Sequence, residues 1–171
     1  MQNNITLVVP CMGRLEHLQA SMPLMAARFP CVVVDYLCPQ HAGDWVLSQM
    51  EHWPYSHVAV VRVSRLFSPY FNLSRARNLG ALAVETECVA FIDADMLIEV
   101  PRFGQSRQAK LQENSFVVFD GRGGKGHSGF LCCRVDDFWR AEGYEVASKG
   151  YGCEDTQMQR KLEHLGLQRQ T

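Results

Sequence analysis

The apolar positions of the chain follow two rhythms. Short, mostly apolar runs occur at Ile5 to Val9, Cys31 to Val34, His57 to Val63, Val89 to Ile92, Phe116 to Phe119 and Phe130 to Cys133, and these read as strands. Between the first two, apolar residues at 15, 18, 22, 25 and 29 keep close to a helical period over Leu15 to Phe29. Pro23 inside that segment predicts a kink or a break. Trp45 to Met50, Leu73 to Glu85, Val135 to Glu142 and Thr156 to Leu165 are the other predicted helices, with Ser74 or Asn72 as the cap of the second. Strands alternating with helices predict an α/β fold, a mostly parallel central sheet with helices on both faces. Such sheets bind ligands at the carboxyl ends of their strands. Pro10, Asp35 and the pair Asp93 and Asp95 stand at predicted strand ends, so they are expected along one rim.

Asp93 and Asp95 are the first candidates for chemistry. They follow the apolar run Cys88-Val89-Ala90-Phe91-Ile92, and carboxylates are expensive to bury without a partner. Two hard oxygen donors this close suit Mg²⁺ or Mn²⁺, whose open positions phosphate oxygens can fill. The plainer alternative is a solvated pair, one of which caps a turn. A second acidic pair, Glu154-Asp155, follows "GYGC" at the start of a helix. There it serves either as a helix-opening carboxylate favoured by the dipole or as a general base. Arg14, Arg75 and Arg77 are the basic residues near the rim, and an arginine fork pairs well with a diphosphate. The segment "GRGGKGHSGF" at 121 to 130 is too rich in glycine for a helix or strand interior. It lacks the Ser or Thr of a P-loop and is expected as a loop, mobile or closing over a ligand.

Composition narrows the partners. At 171 residues the chain suits one domain with a proper core. A net charge of -1 provides no broad basic face, which argues against nucleic acid. No apolar run approaches the roughly 20 residues of a membrane span. Met1-Gln2-Asn3-Asn4 has no signal-like character, so a cytoplasmic location is expected. The seven cysteines form no CxxC pair and fall mostly within apolar runs, which predicts buried thiols rather than disulfides or a zinc site. Cys153 is the exception, since it lies in the acidic motif.

Four segments together resemble glycosyltransferases of the GT-A fold, near family 2 and the β-1,4-galactosyltransferases. They are "VVPCMGRLEHL", "FNLSRARNLGA", "FIDADMLIEVP" and the stretch from "GHSGF" through "GYGCEDTQMQRKLEHLG", in that order along the chain. The resemblance implies one GT-A domain over 1–171, shortened at its C-terminal end, and a Rossmann-like sheet. It also implies that Pro10, Arg14, Phe71, Asn72 and Arg77 line the nucleotide and diphosphate site, with Asp35 on the base. Asp95 would be the direct metal ligand, and Asp93 would meet the ribose or the metal. The same resemblance makes Asp155 the catalytic base and puts Tyr151, Gly152 and Glu154 at the acceptor. The implied reaction is a single inverting displacement from a UDP-sugar, with UDP-galactose or UDP-N-acetylgalactosamine as donor. Its saccharide acceptor would belong to capsule or surface polysaccharide synthesis, and the cofactor would be Mn²⁺ or Mg²⁺.

The chain departs from that pattern at Cys153, at Tyr151 in place of tryptophan, and at Leu73 in place of an arginine. The turn after Asp35 also differs, and His127 or His164 would have to replace a metal-ligating histidine that the family carries further on. Two other readings compete. One is a nucleotide-sugar-binding module or synthase subunit without chemistry, which would not need a base at Asp155. The other is a nucleotidyltransferase, which usually carries a glycine-rich signature with a lysine after the first strand; "PCMGRLEHL" lacks it.

Overall fold

The computed structural model describes residues 4–53, 57–64, 70–96, 111–119, 129–147 and 153–171. The predicted sheet is present as seven strands: β1 (Ile5–Cys11), β2 (Cys31–Tyr36), β3 (Val58–Val63), β4 (Cys88–Phe91), β5 (Ser115–Val118), β6 (Leu131–Arg134) and β7 (Gln168–Gln170). Their spatial order is β3-β2-β1-β4-β6-β5-β7. The first four are mutually parallel, β6 runs antiparallel to β4 and β5, and β7 is parallel to β5. The fold is therefore α/β, mostly parallel, as the strand and helix rhythm predicts.

Helices cover both faces because side chains alternate along every strand. On one face Leu7, Val9, Val33, Ala90 and Cys132 pack under α1 (Leu15–Ala26) and α2 (Ala42–Gln49). On the other, Val8, Val34, Val89, Phe91 and Cys133 pack under α3 (Leu73–Ala81), α4 (Val135–Arg140) and α5 (Glu154–His164). Helix α3 lies very close to the sheet. A Cβ added at Gly80 would collide with Val8 and come within 2.9 Å of Val34.

Several boundaries differ from the sequence reading. Pro23 does not break α1, which runs through it to Ala26. Proline removes one amide donor, whereas the face formed by Leu18, Met22, Met25 and Ala26 is wholly buried and holds the helix. Strand β2 extends past Val34 to Tyr36, so Asp35 lies inside it, paired in register with Cys11 and Arg62. Helix α2 starts three residues earlier than predicted, and α5 two residues earlier. Strand β7 was not expected. Its sequence Gln-Arg-Gln has no apolar alternation, and it joins β5 through the backbone at the sheet margin. Six of the seven cysteines are buried free thiols and Cys153 is exposed, in line with the reading from spacing. No helix among the described residues is long and apolar enough to cross a membrane.

Candidate active site

Strand β1 has β2 on one side and β4 on the other. The chain thus winds outward through β2 and β3, then returns to place β4 beside β1. A crevice opens beyond the carboxyl ends of two strands where the winding reverses, which is where sheets of this kind take ligands. Here that position falls between β1 and β4. A cavity of about 230 Å³ occupies it, lined by Pro10, Met12, Arg14, Phe71, Leu73, Asp93, Ala94 and Asp95. Five of these residues are sequence candidates. Met12 and Ala94 carry no polar signature and were not anticipated.

The two aspartates owe their placement to a tight turn. Ile92 is still bonded to the sheet, its amide donating to the Val8 carbonyl at 3.1 Å. The Met96 amide then donates back to the Asp93 carbonyl at 3.0 Å, closing a four-residue turn with Asp93 first and Asp95 third. Aspartate is favoured at the first position of such turns. Ala94 is buried between them, and its carbonyl accepts from the Ser21 hydroxyl at 3.0 Å. The Asp95 side chain is 45% exposed, and Arg14 stands 3.9 Å away across the cavity mouth.

Asp93 faces inward, to Arg77. The Arg77 side chain is 0% exposed and donates from Nη2 to Asp93 Oδ1 at 3.2 Å. Its other terminal nitrogen, Nη1, donates to Asp155 Oδ1 at 2.6 Å. One buried guanidinium therefore joins the aspartate that ends β4 to the aspartate in the first turn of α5. Its carbon lies 5.0 Å from the centre of the Tyr144 ring. Arg77 Nε and the Tyr144 hydroxyl are buried with no hydrogen-bond partner among the described residues. On the far side of Asp93, Gly129 comes so close to Oδ2 that an added Cβ would collide with it.

The neighbouring Asn78 fixes Tyr144. Its Nδ2 donates to the Tyr144 carbonyl at 2.8 Å, and its Oδ1 accepts from the Tyr144 amide at 2.9 Å. Asn72, at the start of the same helix, also bonds through both atoms of its amide. Its Oδ1 caps α3 by accepting from the Arg75 amide at 2.7 Å, and its Nδ2 donates to the Val146 carbonyl at 3.1 Å. Asn72, rather than Ser74, is the cap. The polar face of α3 thus pins residues 144 to 146 to the sheet half of the molecule.

These surroundings set the charges. Burial pushes the Asp155 carboxyl up to about 6, against the pull of Arg77, and the nearby Glu154 and Asp93 add to the rise. Asp93 is also raised by burial, partly offset by Arg77. Asp155 is thus poised in the range where a carboxylate makes an effective general base. Asp35 is differently engaged: its two oxygens accept from the Cys38 and Gly43 amides, each at 2.9 Å. These bonds shape the turn into α2, and Gly43 is small because a Cβ there would lie 2.7 Å from Asp35 Oδ2. Phe71 lies edge-on to Tyr36 with ring centres 5.3 Å apart.

Glu154 is buried beside Asp155 at the start of α5. Tyr151, Gly152, His127 and most of the glycine-rich segment lie outside the described residues. His164 is exposed at the opposite end of α5 from Asp155, roughly 13 Å along the helix axis, too far to join the cavity. For a divalent cation the fit rests on Asp93 and Asp95, hard oxygen donors on one turn with Asp95 open to the cavity. No group of three or more potential ligands forms among the described residues, so phosphate and water oxygens would complete the shell.

No protein-family model matches the chain, and no curated protein sequence matches it. Solved structures do. The chain superposes on a mannosyltransferase from Pyrobaculum calidifontis, solved with GDP-Man and Mn²⁺, with a TM-score of 0.81 and 15% identity, covering 100% of this chain and 55% of that one. Drosophila β1,4-galactosyltransferase 7, solved with manganese, UDP-Gal and xylobiose, gives a TM-score of 0.63 and 18% identity over 96% of this chain and 63% of that one. Glucosyl-3-phosphoglycerate synthase from Mycobacterium tuberculosis, solved with UDP, gives 0.63 and 15% over 95% and 66%. The chain spans between about half and two thirds of the length of these structures. It has their fold, the GT-A fold of nucleotide-sugar glycosyltransferases.

Proposed function

We propose that the chain is a metal-dependent, inverting glycosyltransferase that moves a sugar from a nucleotide-sugar donor to a saccharide acceptor. The observation that carries this reading is the guanidinium bridge: a base candidate, Asp155, tied through Arg77 to the wall of a cavity at the winding reversal. Proteins of this fold with GDP-Man, UDP-Gal or UDP bound support the donor class. UDP-galactose or UDP-N-acetylgalactosamine is the proposed donor, and capsule or surface polysaccharide the proposed product.

The roles follow from placement. Pro10, Phe71 and Leu73 form the apolar wall against which the nucleotide lies, and Arg14 faces the diphosphate across from Asp95. Asp93 and Asp95 would hold Mn²⁺ or Mg²⁺, whose chemistry is to neutralise charge on the departing diphosphate. Asp155 takes the proton of the attacking hydroxyl as that oxygen displaces the nucleotide from the anomeric carbon. Glu154, Tyr151 and Gly152 are the proposed acceptor contacts. A carboxylate buried this deeply and raised towards neutrality suits a general base, which favours the enzymatic reading over a binding module.

The test is calorimetric titration of UDP into the protein with Mn²⁺, then with EDTA, repeated on Asp95→Ala. Binding that requires both the metal and Asp95 supports the reading. No binding of UDP in either condition overturns it for this donor class.

A further inference from the structure

We infer that Arg77 is the positioning residue of the site, a buried fork that sets Asp155 at a fixed separation from Asp93. This rests on the reading of the cleft as a transferase site. An arginine on a helix is ordinarily solvated, and burying one requires partners that satisfy its charge. Arg77 has two: Asp93, which lines the cavity, and the buried Asp155, the proposed base. They come from elements far apart in the chain, the end of β4 and the start of α5. A planar guanidinium can hold one carboxylate on each terminal nitrogen, which a lysine cannot do with the same geometry.

The surroundings of the fork are closely packed. The Tyr144 ring lies against the guanidinium, and Asn78 clamps the Tyr144 backbone with both atoms of its amide. Gly129 passes beside the second oxygen of Asp93, where a side chain in its place would press on that carboxylate. Gly80 brings α3 hard against β1 and β2, fixing how far the arginine reaches. An in-line displacement needs donor and acceptor held together at a near-attack distance, and a shift of about 1 Å can cost on the order of 10²-fold in rate. In this chain that distance depends on one side chain.

The test compares wild type with Arg77→Lys, Arg77→Met and Asp93→Asn, by two independent readouts. The first is ¹³C NMR titration of the Asp155 carboxyl in the ligand-free protein. Loss of the fork in Arg77→Met moves the Asp155 titration to higher pH, Arg77→Lys moves it less, and Asp93→Asn, which frees Arg77 for Asp155 alone, moves it to lower pH. The second is sugar transfer or slow hydrolysis of UDP-galactose with Mn²⁺. Arg77→Lys lowers kcat about 100-fold while KM for the donor changes less than about tenfold, the pattern of a misplaced base rather than a lost donor site. An Asp155 titration that is the same in all the folded variants overturns the inference, whether or not the wild type is active. So does a wild-type kcat in either Arg77 variant. If Arg77→Met does not fold, Arg77→Lys and Asp93→Asn still decide the NMR result. A wild type that neither binds UDP nor consumes UDP-galactose, yet shows the expected titrations, removes the functional reading and leaves the fork in place.

Discussion

Two carboxylates of the candidate site, Asp95 in the cavity wall and Asp155 beyond Arg77, live in opposite conditions. Asp95 is 45% exposed, and Arg14 faces it across solvent at 3.9 Å, a distance at which an exposed pair contributes little. Asp155 has a side chain only 6% exposed and a charge-assisted bond of 2.6 Å to Arg77. On the proposed reading Asp95 belongs to the donor half, which is open and able to exchange partners, as a site must be that admits a nucleotide with its cation and releases them. On the same reading Asp155 belongs to the base half, which is closed and pre-arranged, as suits a base whose geometry and protonation are set before the acceptor arrives. Arg77 is where the halves meet, with one terminal nitrogen on each.

The sharpest way to break this comparison is Asp155→Asn. Loss of a general base typically lowers the rate by about 10²–10⁴-fold. UDP affinity should stay within about twofold, because Asp155 lies away from the cavity wall. Steady-state kinetics alongside UDP calorimetry would check this, and a parallel loss of UDP binding would show that the halves are not separable.

A pH series sharpens it next. The folded-state pKa of Asp155 lies at about 6, above the unfolded value near 3.8, so folding favours the protonated form. Its contribution to stability is fully present below about pH 4 and is lost as pH rises through 6. The size is about 3 kcal/mol by linkage. Denaturant unfolding at pH 4 and pH 7.5 should show this component, and it should vanish from the Asp155→Asn difference. The same titration places the acid limb of kcat/KM near pH 6, with activity lost as the base protonates.

Gly80→Ala tests whether the close seat of α3 governs the base half. The added methyl collides with Val8, and overpacking of this kind destabilises by about 1–3 kcal/mol. If the seat sets the reach of Arg77, kcat falls more than UDP affinity does. The smallest effect is expected at Arg14→Ala on the donor side. The exposed pair with Asp95 contributes at most about 1 kcal/mol, so UDP affinity should weaken about fivefold or less, and less still at 0.5 M salt.

The strands and the rim were legible because valine-rich runs such as Val32-Val33-Val34 leave few other places to go. Asp93 and Asp95 were legible because two carboxylates closing such a run demand a reason. Strand β7 was not, since Gln168, Arg169 and Gln170 show no apolar alternation and pair with β5 through backbone bonds that polar side chains do not advertise. The resemblance assigned Arg77 to the nucleotide, whereas the structure sets it wholly inside, between Asp93 and Asp155. A signal for that burial exists. Ser74, Arg77, Gly80 and Ala81 share one stripe of α3, and a charge set among small residues on a sheet-facing stripe must find partners within the fold. Tyr144 offered no signal at all. Its role depends on Asn78, 66 residues away in the chain, and a contact of that kind exists only once the helix is seated.

The distribution of thiols has a practical consequence. Burial raises the thiol pKa of Cys11 and Cys31 to about 12 and holds those of Cys88, Cys132 and Cys133 up as well, so these sulfurs stay protonated and shielded at neutral pH. Cys153 alone is exposed, and it immediately precedes Glu154 and Asp155. A maleimide fluorophore therefore attaches at one place on the unaltered chain, beside Glu154 and Asp155, and its emission becomes an optical gauge of what binds near the start of α5.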